Sequence, residues 1–210
     1  MNASPTLAAL PGENRQALVV APCSRGPVWA ARAGVMEAHG RTWRFILGPF
    51  PAVAGRNGFA LPGEKREGDS KTPSGIFAVE HAFGCAGSVS TALPYRQIEE
   101  DDVWVNDPLS DYYNRWMKRG EVRAFSFEEM MRPDNLYRYG MVIGYNRNPA
   151  VKGLGSAIFV HVWKGCDAPT SGCVALAEEH VVAILGRLDP SLGPLSLIGL
   201  LSSEKMHVLP

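Results

Sequence analysis

Glycine and proline are spread along the whole chain, and this spacing limits the regular elements that can form. The 210 residues include 22 glycines and 16 prolines, and both residue types interrupt helices. The apolar residues between these breaks fall in short runs bounded by turn-forming residues, as strands do. The spacing predicts a mainly β (α+β) domain with many short strands and two or three peripheral helices.

The apolar runs and the turn-forming residues between them also predict the individual helices and strands. A helix is predicted over 107–120, which begins with Asp-Pro and ends with Gly, both common helix boundary signals. A second helix is predicted over 177–187, because Val181, Leu185 and Leu188 share one face at helical spacing. The predicted strands cover 17–20, 28–35, 42–47, 75–83 and 158–163, with weaker candidates at 139–145 and 195–201.

Composition and charge favour one globular domain. Of the residues, 46% are hydrophobic and 20% charged, which is enough apolar chain for a core. Lys and Arg together number 21, as do Asp and Glu, so the zero net charge gives no support to nucleic-acid binding. No apolar run approaches the length of an integral membrane segment.

We predict a flexible N-terminal segment over 1–14 and a single domain over 15–205. Within the domain, an irregular region over 84–107 is predicted to cover a site.

One stretch, "IFVHVWKGCDAPTSGCVALAEEHV", collects two of the four cysteines and two of the five histidines. A metal site, a disulfide or a nucleophilic cysteine with its base would each explain it. His161, Cys166, Cys173 and His180 lack the short paired spacing of most structural zinc sites, which disfavours a metal. A Cys166–Cys173 disulfide would close a small loop but would leave His161 without a role.

The segment 158–163 alternates between two kinds of side chain, as a strand with two different faces does. One face is aliphatic and belongs in a core. The other places His161 between two aromatic side chains, as in a cleft wall, although a hydrogen-bonded core histidine would also fit. The aliphatic face consists of Ile158, Val160 and Val162, and the aromatic face of Phe159, His161 and Trp163.

Cys173 follows a glycine and lies twelve residues after His161. Gly172 allows a tight turn, and a neighbouring histidine lowers the pKa of a thiol from its usual value of about 8.5. The N–H groups of Gly172 and Cys173 are then candidates to hold an oxyanion, and a helix start after Cys173 would give the thiolate modest help. We expect Cys173 to be the most reactive thiol; a buried structural cysteine is the alternative.

These residues resemble the YkuD-type L,D-transpeptidase family, which carries a strand-borne histidine, a spacer and a Ser/Thr-x-Gly-Cys element. Here the three parts are His161, the spacer 162–169 and Thr170-Ser171-Gly172-Cys173. A second match, "REGDSKTPSGIF", runs from Arg66 to Phe77 and resembles the Gly/Asp-rich turn, Thr-Pro-x-Gly and strand of the family. The two matches span roughly 66–188.

The resemblance implies a YkuD-like sandwich or barrel-type catalytic domain that acts on peptidoglycan stem peptides in the periplasm or cell envelope, without a metal or cofactor. The first 20 residues lack the features of a signal peptide, so either the protein stays inside the cell or an export signal lies outside this chain; the resemblance favours the second. Cys173 would be the nucleophile, His161 the base, Val162 the carbonyl that orients the imidazole, and Gly172 part of the oxyanion hole. A carbapenem adduct on Cys173 is also implied. Candidate substrate-binding residues are Thr170, Ser171, Trp163, Arg66, Lys71, Arg138, Tyr139 and Arg147.

Two positions depart from the family pattern. Ser171 stands where many members have histidine, and Ala175 where many have an arginine that binds a carboxylate or orders the site. The loss of that arginine predicts an atypical donor position in the stem. The alternatives are an L,D-carboxypeptidase or other cysteine hydrolase on the same peptides, and a non-catalytic wall-binding domain.

The remaining histidines and cysteines have simpler interpretations. His39, His81 and His207 lack a partner pattern and are predicted at the surface or in turns. His180 lies on the second predicted helix, where a structural role is expected. If Cys173 is free, the other three cysteines can form at most one disulfide.

Overall fold

Fourteen strands form in residues 14–40 and 42–200, the part of the chain that the computed structural model describes. Most are short, as the spacing of glycine and proline predicts. The same residues contain one α-helix, α1 (Glu178–Arg187), and two 3-10 turns at Arg119–Glu121 and Pro190–Leu192. The strands are β1 (Gln16–Pro22), β2 (Ala30–His39), β3 (Thr42–Val53), β4 (Phe59–Ala60), β5 (Thr72–Pro73), β6 (Gly75–Gly84), β7 (Tyr95–Gln97), β8 (Asp102–Val105), β9 (Trp116–Lys118), β10 (Phe127–Glu129), β11 (Tyr139–Ile143), β12 (Phe159–Val162), β13 (Val174–Leu176) and β14 (Leu195–Ile198).

Eight strands close into a barrel, in the order β11-β12-β13-β3-β2-β1-β14-β6, and the pairing of β11 with β6 joins the ends. Most neighbours are antiparallel, but β12 with β13 and β1 with β14 are parallel. The short strand β7 adds to β6 outside the ring. Closure removes the free edges that an open sheet would expose.

The barrel interior is the main hydrophobic core. Alternate residues of all eight strands point into it, and α1 contributes its buried face, Val181, Ile184 and Leu185, to the same cluster. Burial of each such aliphatic side chain contributes about 1.5–3 kcal/mol. The helix predicted over 177–187 is therefore confirmed, with its apolar face where the spacing places it.

A second core forms outside the barrel. The three-stranded sheet β10-β8-β9 packs over β6, β11 and β12. Phe159 of β12 meets Trp104 of β8 edge to face at 4.8 Å and Phe83 of β6 at 5.4 Å, and such aromatic pairs contribute about 0.5–1.5 kcal/mol beyond their burial. Cys173 belongs to this cluster, so the outer sheet covers the face of β12 that carries His161.

The two predicted faces of 158–163 are confirmed. Ile158, Val160 and Val162 lie in the barrel core, while Phe159 lies in the outer cluster. The predicted strands also form, with longer or shifted ends. The segment 84–107 is less irregular than expected, because it contains β7 and β8. The segment 1–14 except for Asn14, the stretch 201–205 of the predicted domain and His207 lie outside the described residues.

The helix predicted over 107–120 is wrong, and α1 is the only α-helix within 14–40 and 42–200. Both carboxylate oxygens of Asp107 accept backbone N–H bonds, from Leu109 and Phe125, which fixes turns instead of a helix. Asn114 has a positive φ of 59°, a conformation that ends a helix. Trp116 then enters β9 and is buried in the outer cluster.

The described helix α1 is short, and no helix among the described residues has both the length and the apolar character needed to cross a membrane.

The prediction that His81 lies at the surface or in a turn is wrong. His81 lies in the middle of β6 and is half-buried beside Trp116, at a ring distance of 6.0 Å. His39 is exposed, as expected.

Candidate active site

The turn 170–173 is fixed by hydrogen bonds at both ends. The Thr170 N–H donates to Ala54 O at 3.0 Å, and the Arg56 N–H donates to Thr170 O at 2.9 Å. The Thr170 hydroxyl donates to Cys173 O at 2.6 Å and accepts from the Gly172 N–H at 3.1 Å. Thr170 therefore shapes the turn that presents Cys173.

The Thr-Pro turn of the second sequence match supports the same turn. Thr72 is fully buried; its hydroxyl accepts from the Gly55 N–H at 2.8 Å and donates to Cys173 O at 3.3 Å. Gly172 has a φ of 150°, and a Cβ there would lie only 3.1 Å from Lys71 O. The two sequence matches thus meet in space, and the glycine before the cysteine is required by close backbone packing.

His161 has a fixed tautomer. Its Nδ1 lies 2.8 Å from Val162 O, and because a carbonyl can only accept, Nδ1 carries the proton and Nε2 the lone pair. The Tyr137 ring packs against the imidazole at 5.1 Å and 76°. Burial lowers the pKa of His161 to about 4, so at neutral pH the ring is an uncharged potential base.

Cys173 is held as a neutral thiol. Its Sγ–H donates to Ala157 O at 3.1 Å, and the Phe159 N–H donates to Sγ at 3.4 Å. Burial raises the pKa of Cys173 to about 12, although the charges of Lys65 and Arg132 act in the opposite direction. The help predicted from a helix start does not apply, since β13 separates Cys173 from α1.

Strand register places the thiol and the imidazole on one face. His161 of β12 stands opposite Ala175 of β13, and because side chains alternate, Cys173 projects to the same side as Ala175. Cys173 and His161 are therefore diagonal neighbours. Because the Cys173 thiol donates to Ala157 O, a proton transfer to His161 would first require a rotation about the Cys173 Cα–Cβ bond. Catalytic hydrogen bonds often tighten only when substrate is bound.

Ala157 is held in a strained conformation by a buried asparagine. Its φ is 52°, which costs of order 1–3 kcal/mol in a residue other than glycine. Asn114 Oδ1 accepts from the Ala157 N–H at 3.1 Å and from Trp104 Nε1 at 2.9 Å, and Asn114 Nδ2 donates to Tyr145 O and Asn146 O. This network aims the Ala157 carbonyl at the thiol.

Cys173 and His161 line a cavity of about 540 Å³. Its walls also include Thr170, Ser171 and Trp163, three of the predicted substrate-binding residues. Ala175, the position at which the family resemblance led us to expect an arginine, also lines the cavity. The charged side chains of the walls are Lys65, Glu67, Glu128, Arg132 and Lys164.

Five other predicted substrate-binding residues do not line this cavity. Arg66 bonds the carbonyls of its own turn. Arg138 pairs with Glu178 at 3.6 Å and lies over the Tyr139 ring, and Arg147 pairs with Glu80 at 3.2 Å. The predicted residues that the cavity does not bring together with Cys173 are Arg66, Lys71, Arg138, Tyr139 and Arg147.

Several residues of the cavity were not predicted from the sequence. Arg132 donates to Asp134 at 2.6 and 2.9 Å and to Glu128 at 2.7 Å, and Glu128 also accepts from the Tyr137 hydroxyl at 2.8 Å. Lys65 is 4% exposed and also lines the cavity. The available sequence signal is the i,i+4 spacing of Lys65 with Asp69 and of Glu128 with Arg132, two pairs that form ion pairs in the structure.

The disulfide and metal alternatives do not match the described residues. All four cysteines are free, and Cys166 is exposed whereas Cys173 is buried. His180 stacks on Phe50 at 4.0 Å rather than facing the cavity. Within 14–40 and 42–200 no group of three or more His, Cys, Asp or Glu side chains is arranged to hold a metal ion.

The buried histidine makes stability depend on pH. The unfolded chain binds a proton at His161 near pH 6.5, whereas the folded protein does so only near 4, so stability falls as pH drops through this window. In the wild type this difference should lower the free energy of unfolding by about 3 kcal/mol between pH 6.5 and 4. The variant His161→Gln should lack this part of the pH dependence. Melting temperatures across this range measure it; the exposed His39→Gln is the control. An unchanged slope in His161→Gln would contradict the buried neutral ring.

The burial of Cys173 revises the expected order of thiol reactivity. A thiol reacts with alkylating agents as an exposed thiolate, and Cys173 is buried with a raised pKa. We expect limiting iodoacetamide, followed by peptide mapping, to modify the exposed Cys166 before Cys173. Labelling in urea, where all four thiols are accessible, is the control. First labelling of Cys173 in the folded protein would mean that the resting pair is ionised.

The comparison with protein families agrees with this geometry. The family model YkuD, the L,D-transpeptidase catalytic domain, matches residues 31–195, which include the turn, the cavity and both reactive side chains. The chain therefore belongs to the YkuD family of L,D-transpeptidase catalytic domains. Searches of curated proteins and of solved structures found no match.

Proposed function

We propose that this protein is a cysteine-dependent L,D-transpeptidase that acts on peptidoglycan stem peptides through an acyl-enzyme. The observation that carries the proposal is the pairing, in one cavity, of Cys173 with a neutral His161 whose Nε2 is left unprotonated by the Nδ1–Val162 O bond. The family gives the substrate class, since L,D-transpeptidases act on peptidoglycan peptides.

The first step forms the acyl-enzyme. His161 Nε2 takes the thiol proton, and Cys173 Sγ attacks the carbonyl carbon on the carboxyl side of an L-centre. The C–N bond to the terminal amino acid then breaks, and the imidazolium returns the proton to the leaving amine. Gly172 and Cys173 N–H groups stabilise the oxyanion, for which the Gly172 N–H exchanges its Thr170 hydroxyl for the substrate oxygen.

The second step decides between the two enzymatic alternatives. A side-chain amine of a second stem attacks the thioester, gives its proton to His161 and forms the new amide while Cys173 leaves as a thiol. If water attacks instead, the product is a shortened stem and the enzyme is an L,D-carboxypeptidase.

The donor position is proposed to be atypical. Ala175 lies on the cavity wall opposite His161 in the strand register, and its methyl group cannot make the charged, fork-shaped contact of an arginine. A donor that acylates the enzyme through another L-residue of the stem, such as the first L-alanine, would fit the altered wall. Action on peptidoglycan also places the protein in the periplasm or cell envelope, where carbapenems would meet Cys173.

The decisive experiment incubates the purified protein with isolated peptidoglycan and with defined stem peptides, and analyses the products by mass spectrometry. New crosslinks with loss of one amino acid per donor support transpeptidation, and shortened stems alone support the carboxypeptidase. Donors that differ in length identify the acylated L-residue; exclusive acylation at the diamino acid of the tetrapeptide overturns the atypical donor. Intact protein with neither product, and no carbapenem adduct, favours a wall-binding role.

A further inference from the structure

Lys65 is the most deeply buried cation of the active-site cavity. Its side chain is 5% exposed and lines the same cavity as Cys173 and His161. We propose that the Lys65 ammonium binds the free α-carboxylate of the residue that leaves in the first step, and so favours a leaving residue whose α-carboxyl group is unsubstituted. This inference rests on the proposed acyl-transfer function.

The ammonium of Lys65 is held in place by two hydrogen bonds, which leave one of its N–H donors for a ligand. Its Nζ donates to Arg66 O at 2.7 Å and to Asp69 Oδ1 at 2.6 Å, and a lysine ammonium has three donors. The third N–H has no acceptor among the described residues. Because burial of an ammonium with an unused donor is unfavourable, a polar ligand in the cavity would complete its coordination.

The Asp69 carboxylate fixes the position of the Lys65 ammonium and is itself held by the backbone. It also accepts the backbone N–H groups of Arg66 at 2.7 Å and Lys71 at 2.9 Å. Burial opposes the ionisation of Asp69, but the hydrogen bonds from Lys65 and from these two N–H groups keep the pKa of Asp69 below its usual range. Asp69 therefore stays a carboxylate that orients Lys65 Nζ, and the third N–H of the ammonium is the group that the pair offers to an anion.

Two glycines bring Lys65 close to the nucleophile. A Cβ on Gly155 would lie 3.1 Å from Lys65 Cε and 3.3 Å from Nζ, so only a glycine leaves room for the lysine chain. A Cβ on Gly172, the residue before Cys173, would lie 3.9 Å from Lys65 Cε. The lysine chain therefore ends beside the turn that presents the attacking sulfur and the proposed oxyanion donors.

The other cations of the cavity are less suited to this role. Arg132 is already bound to Glu128 and to both oxygens of Asp134, and Lys164 is exposed. Of the carboxylates that line the cavity, Glu67 is the nearest to Lys65 in sequence. Its Oε2 accepts from the Tyr113 hydroxyl at 2.5 Å and the Ser156 hydroxyl at 2.7 Å. Those two donors disperse the charge that would otherwise oppose an anion.

The chemistry of the leaving group matches this position. In a terminal residue only the amide nitrogen and one α-carbon separate the carboxylate from the scissile carbonyl, so a cation beside the oxyanion turn is placed to meet it. A leaving residue whose α-carboxyl group continues the chain has a neutral amide at that point. Lys65 would thus make the carboxylate contact that Ala175 cannot make.

The test compares one donor peptide in two forms, with a free C-terminal carboxylate and with a C-terminal carboxamide. We expect wild-type acylation to be about 10- to 100-fold faster with the acid, the size of a charge-assisted hydrogen bond in a buried site. Lys65→Met should bring the ratio of the acid rate to the amide rate close to one, and this ratio is the readout because the substitution can also change both rates together. Lys65→Arg should restore part of the preference, and Arg66→Met, which alters a side chain outside the cavity, should retain it.

Each outcome separates the alternatives. Equal wild-type rates with acid and amide overturn the inference but leave the proposed function intact, whereas acylation by neither donor overturns both. If Lys65→Met slows both donors equally and the preference persists, Lys65 only supports the loop and the inference is wrong. If Lys65→Met does not fold, the wild-type comparison and the Lys65→Arg preference decide in its place.

Discussion

Replacing Cys173 with serine is expected to abolish acylation and to lower turnover by on the order of 10⁶-fold, the loss typical when the nucleophile of a protease-like site is removed. The hydroxyl fits the same space, but His161 would have to deprotonate a far weaker acid with a base whose pKa burial has lowered to about 4. Intact-mass spectrometry after mixing with donor peptide or carbapenem measures the adduct. Wild-type protein should gain the acyl mass, and Cys173→Ser should gain none.

The control for this change is Cys166→Ser, which alters an exposed thiol on the spacer after β12. It should acylate at the wild-type rate. Melting temperatures of both variants show whether the fold survives, since Cys173 also packs in the outer aromatic cluster. A folded Cys173→Ser protein that still turns over donor peptide would remove Cys173 from the reaction.

Replacing His161 with glutamine is expected to lower kcat/KM by about 10²–10⁴-fold, the usual contribution of a general base. Glutamine is neutral like the native imidazole, but it cannot take the thiol proton. Binding of an uncleaved substrate analogue should change little, because the substituted group acts on the proton. Stopped-flow acylation measures the rate, and calorimetry measures the binding.

The pH profile distinguishes loss of the base from general damage. Because burial lowers the pKa of His161 to about 4, the acid limb of kcat/KM should lie near pH 4 in the wild type and vanish in His161→Gln. The matched control is His180→Gln, a histidine stacked on Phe50 outside the cavity, which should keep both rate and limb. If His180→Gln loses more kcat/KM than His161→Gln, the assignment of His161 as the base is wrong.

The sequence predicts those parts of the site that depend on local pattern. Alternation over 158–163 places His161 on the face opposite the barrel core, and a glycine before Cys173 predicts a close turn; both features depend on neighbouring residues alone. The mainly β fold follows similarly from the spacing of glycine and proline. The second helix is also a local prediction, because its apolar face needs only helical periodicity.

Contacts between distant segments could not be predicted in this way. Arg66 and Lys71 were expected at the substrate, yet the neighbouring Lys65 enters the cavity, because the turn around Asp69 decides which side chain points inward. The Asp-Pro start at Asp107 has the features of a helix, but Asn114 joins Trp104 and Ala157 across the fold. Tertiary bonds of this kind override local propensity.

The burial of Cys173 also has a consequence for oxidation. Sulfenic acid and mixed disulfides form on exposed thiolates, whereas Cys173, the proposed nucleophile, is a protonated thiol beneath the outer sheet, bonded to Ala157 O. In an oxidising compartment the exposed Cys166 would react first, and Cys173 would stay reduced. A thiol that becomes reactive only when substrate reorganises its hydrogen bonds can remain functional where a permanently ionised cysteine would be lost to oxidants.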